Sequence, residues 1–160
     1  MNAFNPTEIL KALNRHDVHY VVIGGIAAAI HGASAETFVL DICYDPAKEN
    51  LERLAAALRE MNARPRGLPA EPAFALDEET LRNGDTFAFV TSFGDFDCVA
   101  VPLGRGGYTE LFDRSGTAEF DGGVMRVASI DDLIRMKRAV GNPKDLIAAD
   151  ILEAIRQLKS

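Results

Sequence analysis

The stretch from Tyr20 to Asp45, YVVIGGIAAAIHGASAETFVLDICYD, constrains the fold more than any other part of the chain. Val18 to Ile23 is a near-continuous apolar run with the length and residue types of a strand covered on both faces, and Gly24-Gly25 ends it. Ile26 to Ile30 favours a short helix that His31-Gly32 stops, with Ala33 to Glu36 as the connection. Thr37 to Tyr44 resumes β character, and a period of two puts Val39, Asp41 and Cys43 on one face and Phe38, Leu40 and Ile42 on the other. A buried ionised carboxylate is costly unless paired or metal-bound, so Asp41 on so apolar a strand needs a reason.

Paired glycines let a backbone approach a phosphate closely, and they equally permit a tight strand-to-helix turn that binds nothing. The turn alone leaves both readings open. A Walker loop is absent, and the third glycine of the dinucleotide fingerprint is missing.

Elsewhere, Asn5, Pro6 and Glu8 read as the start of a helix carrying Ile9, Leu10 and Leu13 on one face. Asp45-Pro46 reads as the cap of a core-packing helix with Leu51, Leu54, Ala55, Leu58 and Met61. Arg64 to Pro72 holds three prolines and a glycine and is expected to be a surface loop. Asp77 to Glu79 opens a short helix that Asn83-Gly84 closes. Thr86 to Thr91 and Asp95 to Val101 predict a hairpin in which Asp95, Asp97 and Val99 face one way. Gly104 to Gly107 is a turn, Tyr108 to Arg114 a short helix, and Glu119-Phe120 with Val124 to Val127 a small hairpin. Ser129 and Asp132 open a helix bearing Leu133, Met136 and Lys137. Gly141-Asn142-Pro143 then separates it from a last helix with an apolar stripe at Ile147, Ile151, Ile155 and Leu158. This order predicts an α/β or α+β class, a mixed sheet covered by helices.

With 160 residues and 48 % hydrophobic content, the chain is expected to form one domain over 1–160 with a sizeable core. The net charge of -7 argues against non-specific coating of nucleic acid, which rests on surplus Lys and Arg. Cys43 and Cys98 sit in apolar runs and read as reduced, buried thiols. No uninterrupted apolar run approaches about 18 residues, and the first ten residues lack a basic start followed by an apolar core. No membrane partner is therefore expected, and the cytoplasm follows by elimination.

Asp41 and Asp97 lie on two predicted strands, each flanked by apolar residues, and two such carboxylates in one sheet suggest a shared cation. Hard oxygen ligands imply Mg²⁺ or Mn²⁺. Solvation or hydrogen bonding at the strand ends would also accommodate them. His16, His19 and His31 have no metal-ligand spacing with the cysteines, so no zinc site is expected.

VVIGGIAAAIHG, Thr37, LDICYD with ENLERLAAAL, GDFDCV and ASIDDLIRMKRAVGNPKDL, taken in this order, resemble the nucleotidyltransferase superfamily, and within it minimal proteins related to AbiEii-type toxins. The resemblance implies a nucleotidyltransferase-like mixed β-sheet flanked by helices, a Gly-Gly turn holding an NTP triphosphate, and strand carboxylates holding Mg²⁺ or Mn²⁺. It assigns nucleotide binding to Gly24, Gly25, Thr37 and Lys144, metal binding to Asp41 and Asp97, phosphate contact to Lys137, and orientation of that lysine to Asp145. It further implies transfer of a nucleoside monophosphate to an RNA such as tRNA, or to a protein, and restraint by a cognate antitoxin. An RNA would need a local basic face, for which Arg64, Arg66, Arg105, Lys137, Arg138 and Lys144 are candidates.

The chain departs from the resemblance at two positions. The first acid of the family's Asp-x-Asp pair is Val39, which cannot ligate a metal, and a basic residue common upstream of the threonine is Ala35. The alternative is therefore a catalytically degenerate domain that binds a nucleotide or a partner without turnover.

Overall fold

The computed structural model describes residues 3–34, 37–67, 76–102 and 106–159. Asn5 opens α1 (Pro6–Arg15), its side-chain oxygen accepting from Glu8 N at 3.4 Å, and Ile9, Leu10, Ala12 and Leu13 are buried. β1 (Tyr20–Ile23) is buried at every residue and runs directly into α2 (Gly24–Ile30), which begins at the glycines rather than after them. β2 (Val39–Tyr44) and α3 (Lys48–Glu60) follow, then β3 (Arg64–Pro65), α4 (Glu78–Arg82) and the hairpin of β4 (Thr86–Thr91) and β5 (Gly94–Val99). The rest is α5 (Tyr108–Arg114), the hairpin of β6 (Gly116–Phe120) and β7 (Gly123–Val127), then α6 (Ile130–Val140) and α7 (Pro143–Lys159).

The strands form one seven-stranded mixed sheet in the order β3-β4-β5-β2-β1-β7-β6. β2 lies between β1, to which it is antiparallel, and β5, to which it is parallel. The expected mixed sheet flanked by helices is thus the observed architecture, and Asp41 sits near its centre.

Strand register divides the sheet into two unlike faces. Leu40, Ile42, Phe89, Phe96 and Cys98 point one way and are all buried in the core. Val39, Asp41, Asp95, Asp97 and Val99 point the other way and are only partly buried. The alternation is a half-open sheet face, and it is where polar side chains can work without being fully desolvated.

Several local expectations are corrected. Asp45 does not cap α3 directly, since Ala47 is the N-cap and makes no side-chain bond; Asp45 Oδ1 instead accepts from Ala47 N at 3.0 Å in a turn before the helix. The predicted loop after Arg64 begins as an edge strand, with Arg64 opposite Val90 and Pro65 opposite Phe89. An edge tolerates Pro65 because its missing N–H breaks no inner ladder. The later part of that loop, with Pro69 and Pro72, lies outside the described residues, as do Ala35, Glu36, Gly104 and Arg105.

The stripe on α7 is also corrected. Ile147, Ile151 and Leu158 are exposed, and the helix buries Ala149 and Leu152 instead. α7 carries apolar residues around much of its circumference, so periodicity alone cannot choose the packed face. α6 is better anchored: Ser129 Oγ accepts from Asp132 N at 3.1 Å, and the buried Asp132 carboxylate accepts from Arg114 Nε at 2.9 Å. Gly141, with φ 77°, turns the chain from α6 into α7. No helix among the described residues is long and apolar enough to cross a membrane.

Candidate functional site

Asp41 lies opposite Ile23 on one side and Asp97 on the other. Its position therefore places it beside the last residue before the glycine turn. Gly24 has φ +72°, and a Cβ there would lie 2.9 Å from Asp41 Cγ. The glycine is required twice, by backbone conformation and by the carboxylate that fills the space. Gly25 is held differently: a Cβ there would come within 3.0 Å of Thr37 Cβ and 3.1 Å of its hydroxyl. Thr37 Oγ1 in turn donates to Val39 O at 3.1 Å, which ties the entry of β2 to the glycine turn.

Two cavities meet at this turn. The first, about 340 Å³, is floored by Gly24, Gly25 and Asp41 and walled by Val99, Leu133, Met136 and Val140, with Lys137 at its edge. The second, about 270 Å³, is lined by Gly25, Ser34, Thr37, Lys137 and Lys144 together with apolar residues of α7. They share Gly25, Ala28, Lys137 and Leu152. One cavity is thus mostly apolar with a single carboxylate, and its neighbour offers two ammonium groups and two hydroxyls. Lys137 Nζ stands 3.5 Å from Asp145 Oδ1, an ion pair that holds the lysine toward the junction from the first turn of α7.

Burial pushes the Asp41 carboxyl up to about 6, against the opposing pull of Lys137 and Arg66. Cys43 shares this side of β2, but its Sγ donates to Ala100 O at 3.3 Å and burial pushes the thiol up to about 12. It is no nucleophile in that state.

Asp97 is engaged elsewhere. The Arg66 guanidinium pairs with it through Nη2 and reaches Asp95 Oδ2 through Nη1 at 3.5 Å. Asp95 in turn lies opposite Val39, the position where the resemblance expects a carboxylate. Arg66 comes from just beyond the edge strand β3, two strands away, so the pairing is not visible in the linear motif. The apolar wall from α6 was likewise missed, although Leu133, Met136 and Val140 are spaced for one helix face.

Asp41 and Asp97 are the carboxylates here that would hold a hard cation, one ion rather than two. Asp41 and Asp97 are in register on adjacent strands, the third position is Val39, and no three His, Cys, Asp or Glu side chains converge among the described residues. Two carboxylates suit one Mg²⁺ or Mn²⁺ that completes its shell with phosphate oxygens and waters.

Comparison with solved structures decides the fold. The Thermotoga maritima protein TM1012, named as a candidate nucleotidyltransferase, matches with a TM-score of 0.60 at 14% identity over 98% of this chain and 95% of its own. The lincosamide antibiotic adenylyltransferase LnuA matches with a TM-score of 0.62 at 12% identity, over 97% and 99%.

The chain has a nucleotidyltransferase fold.

The antibiotic-resistance factor ANT(2'')-Ia shares this nucleotidyltransferase fold, with a TM-score of 0.53 at 16% identity over 96% of this chain and 88% of its own. No protein-family model matches the sequence, and no curated protein sequence does. At such identities the likeness concerns the nucleotidyltransferase fold, and none of these three proteins is named as an AbiEii-type toxin.

Proposed function

We propose that the chain is a nucleotidyltransferase that binds an NTP at the Gly24-Gly25 turn and transfers its nucleoside monophosphate to a hydroxyl acceptor. The observation that carries this reading is the convergence of Gly24, Gly25, Asp41 and Lys137 on one cavity, on the sheet face shared with Asp97. Lys137, aligned by Asp145, and Lys144 take the triphosphate in the cationic cavity. α2 has seven residues, so its dipole adds little and the two lysines supply most of the attraction. Asp41 and Asp97 would hold a divalent ion, which when bound would offset charge on the leaving pyrophosphate. Thr37 keeps the turn in place from behind Gly25.

The acceptor reading rests on charge and shape. Three of the cations considered for an RNA face are already paired with acids: Arg66 with Asp95 and Asp97, Lys137 with Asp145, and Arg138 with Glu153. Arg105 lies outside the described residues. An RNA such as tRNA is therefore the less favoured acceptor, and the apolar wall of Leu133, Met136 and Val140 suits a compact hydroxylated molecule. LnuA is an antibiotic adenylyltransferase bound to lincomycin, and ANT(2'')-Ia is known with adenylyl-2''-tobramycin, which sets the size class to try first. A toxin restrained by an antitoxin would carry the same chemistry, with growth arrest on expression as its readout.

Val39 favours a second reading, a domain that binds the nucleotide and has lost turnover. One experiment separates them: the protein with Mg²⁺ and each α-labelled NTP, offered total tRNA, lincomycin or tobramycin, beside Val39→Asp and Asp41→Ala. Label transfer by the native chain that Asp41→Ala abolishes supports the enzyme. Transfer by Val39→Asp alone supports the lapsed catalyst, and failure of every form to bind an NTP contradicts both.

A further inference from the structure

Four residues from four adjacent strand positions form one row across the sheet. Arg66 N donates to Ala88 O at 2.9 Å just beyond β3, Ala88 lies opposite Asp97, and Asp97 lies opposite Asp41. Neighbouring strands are about 4.8 Å apart, so Arg66 must cross roughly 10 Å to meet Asp97. Ala88 is small enough to leave that path open. The guanidinium arrives as a fork, one nitrogen on Asp97 and the other on Asp95.

We propose that Arg66 is an internal counter-cation that competes with a divalent ion for Asp97, so that the Arg66 bridge and the bound ion exclude each other. The inference rests on the reading of Asp41 and Asp97 as an ion seat. The guanidinium occupies Asp97 Oδ1, an oxygen that faces a hard cation only when the fork has left, and it sets a positive charge where the ion would sit. The bridge can also open. The Arg66, Asp95 and Asp97 side chains are 29%, 36% and 38% exposed, and ion pairs so accessible to water are weak. Arg66 Nε is buried without a hydrogen-bond partner among the described residues, which lowers the cost of leaving further. In the closed form the acids are neutralised without metal; in the open form Asp97 is released toward Asp41. Asp95, opposite Val39, positions the fork rather than ligating the ion.

The test is Mn²⁺ binding to the intact protein without nucleotide, read from the electron paramagnetic resonance signal of free Mn²⁺. Arg66→Gln is expected to tighten binding about tenfold, and Arg66→Lys about threefold, because lysine keeps the charge but lacks the two-pronged fork. Asp97→Asn is expected to abolish the gain in either background. If Arg66→Lys binds as the native chain does while Arg66→Gln binds tighter, simple charge repulsion explains the result and the competition is overturned. Equal binding by all three, lost with Asp97→Asn, overturns the competition and leaves the ion seat standing. No binding by any form overturns both.

Discussion

Gly24 is the residue it is because Asp41 occupies the space a side chain would need: a Cβ at position 24 would lie 2.9 Å from the Asp41 carboxyl carbon. The turn and the acid are therefore one unit, although 17 positions separate them in the chain. Gly24→Ala combines a left-handed backbone with that clash, and it is expected to cost about 1–3 kcal/mol. Chemical denaturation measures the loss, and nucleotide binding should fall with it because Asp41 is displaced.

The raised Asp41 carboxyl makes stability depend on pH in a definite sense. Between its ordinary value of 3.8 and its folded value of about 6, the folded chain holds a proton at Asp41 that the unfolded chain has released. Raising the pH through that window therefore removes stability, and above it the charged, partly buried group is a standing cost. Asp41→Asn is expected to be more stable than the native chain by about 1–3 kcal/mol at neutral pH, with the difference shrinking toward pH 4. Urea melts at several pH values check this. A variant equally destabilised at every pH would show that Asp41 is held by structure rather than by function.

Cys43 and Cys98 should be silent toward thiol reagents in the folded protein. Cys98 lies opposite Ile42, not Cys43, so the two side chains leave the sheet on opposite faces and are not placed to form a disulfide. Both are buried, and burial pushes both thiols up, Cys43 to about 12. A chromogenic thiol reagent is expected to count no fast-reacting groups in buffer and two in denaturant.

The anchor of α6 predicts a stability effect remote from the cavities. Asp132 is fully buried and accepts from Arg114 Nε at 2.9 and 3.2 Å. Arg114→Ala is expected to cost about 1.5–3 kcal/mol. The more exposed Arg135, 3.9 Å from the same carboxylate, should cost about 1 kcal/mol or less when changed to Ala. Thermal unfolding of the two variants distinguishes them.

Much of this fold was legible because its signals are local. The glycine turn, the period-two faces of β2 and β5 and the glycine break between α6 and α7 each lie within a few residues, where sterics and burial act directly on the pattern. Asp41 lies beside Gly24, and Lys137 beside Asp145. What escaped depends on strands that meet only in three dimensions. Arg66 was legible as a basic residue on a loop, but its reach to Asp97 depends on β3 joining the sheet edge and on Ala88 lying between. The exposed stripe of α7 was unreadable for a different reason, since a helix with apolar residues on several faces packs wherever its neighbours allow.

The proposed function requires the Gly24-Gly25 turn, with Lys137 beside it, to bind a nucleoside triphosphate. Isothermal titration calorimetry of ATP, GTP, CTP and UTP in Mg²⁺ against the native chain and Lys137→Met tests it most directly. At least one NTP should bind the native chain, and Lys137→Met should weaken that binding about tenfold or more while leaving thermal stability nearly unchanged. Absence of binding by all four nucleotides, or equal binding by Lys137→Met, would contradict it.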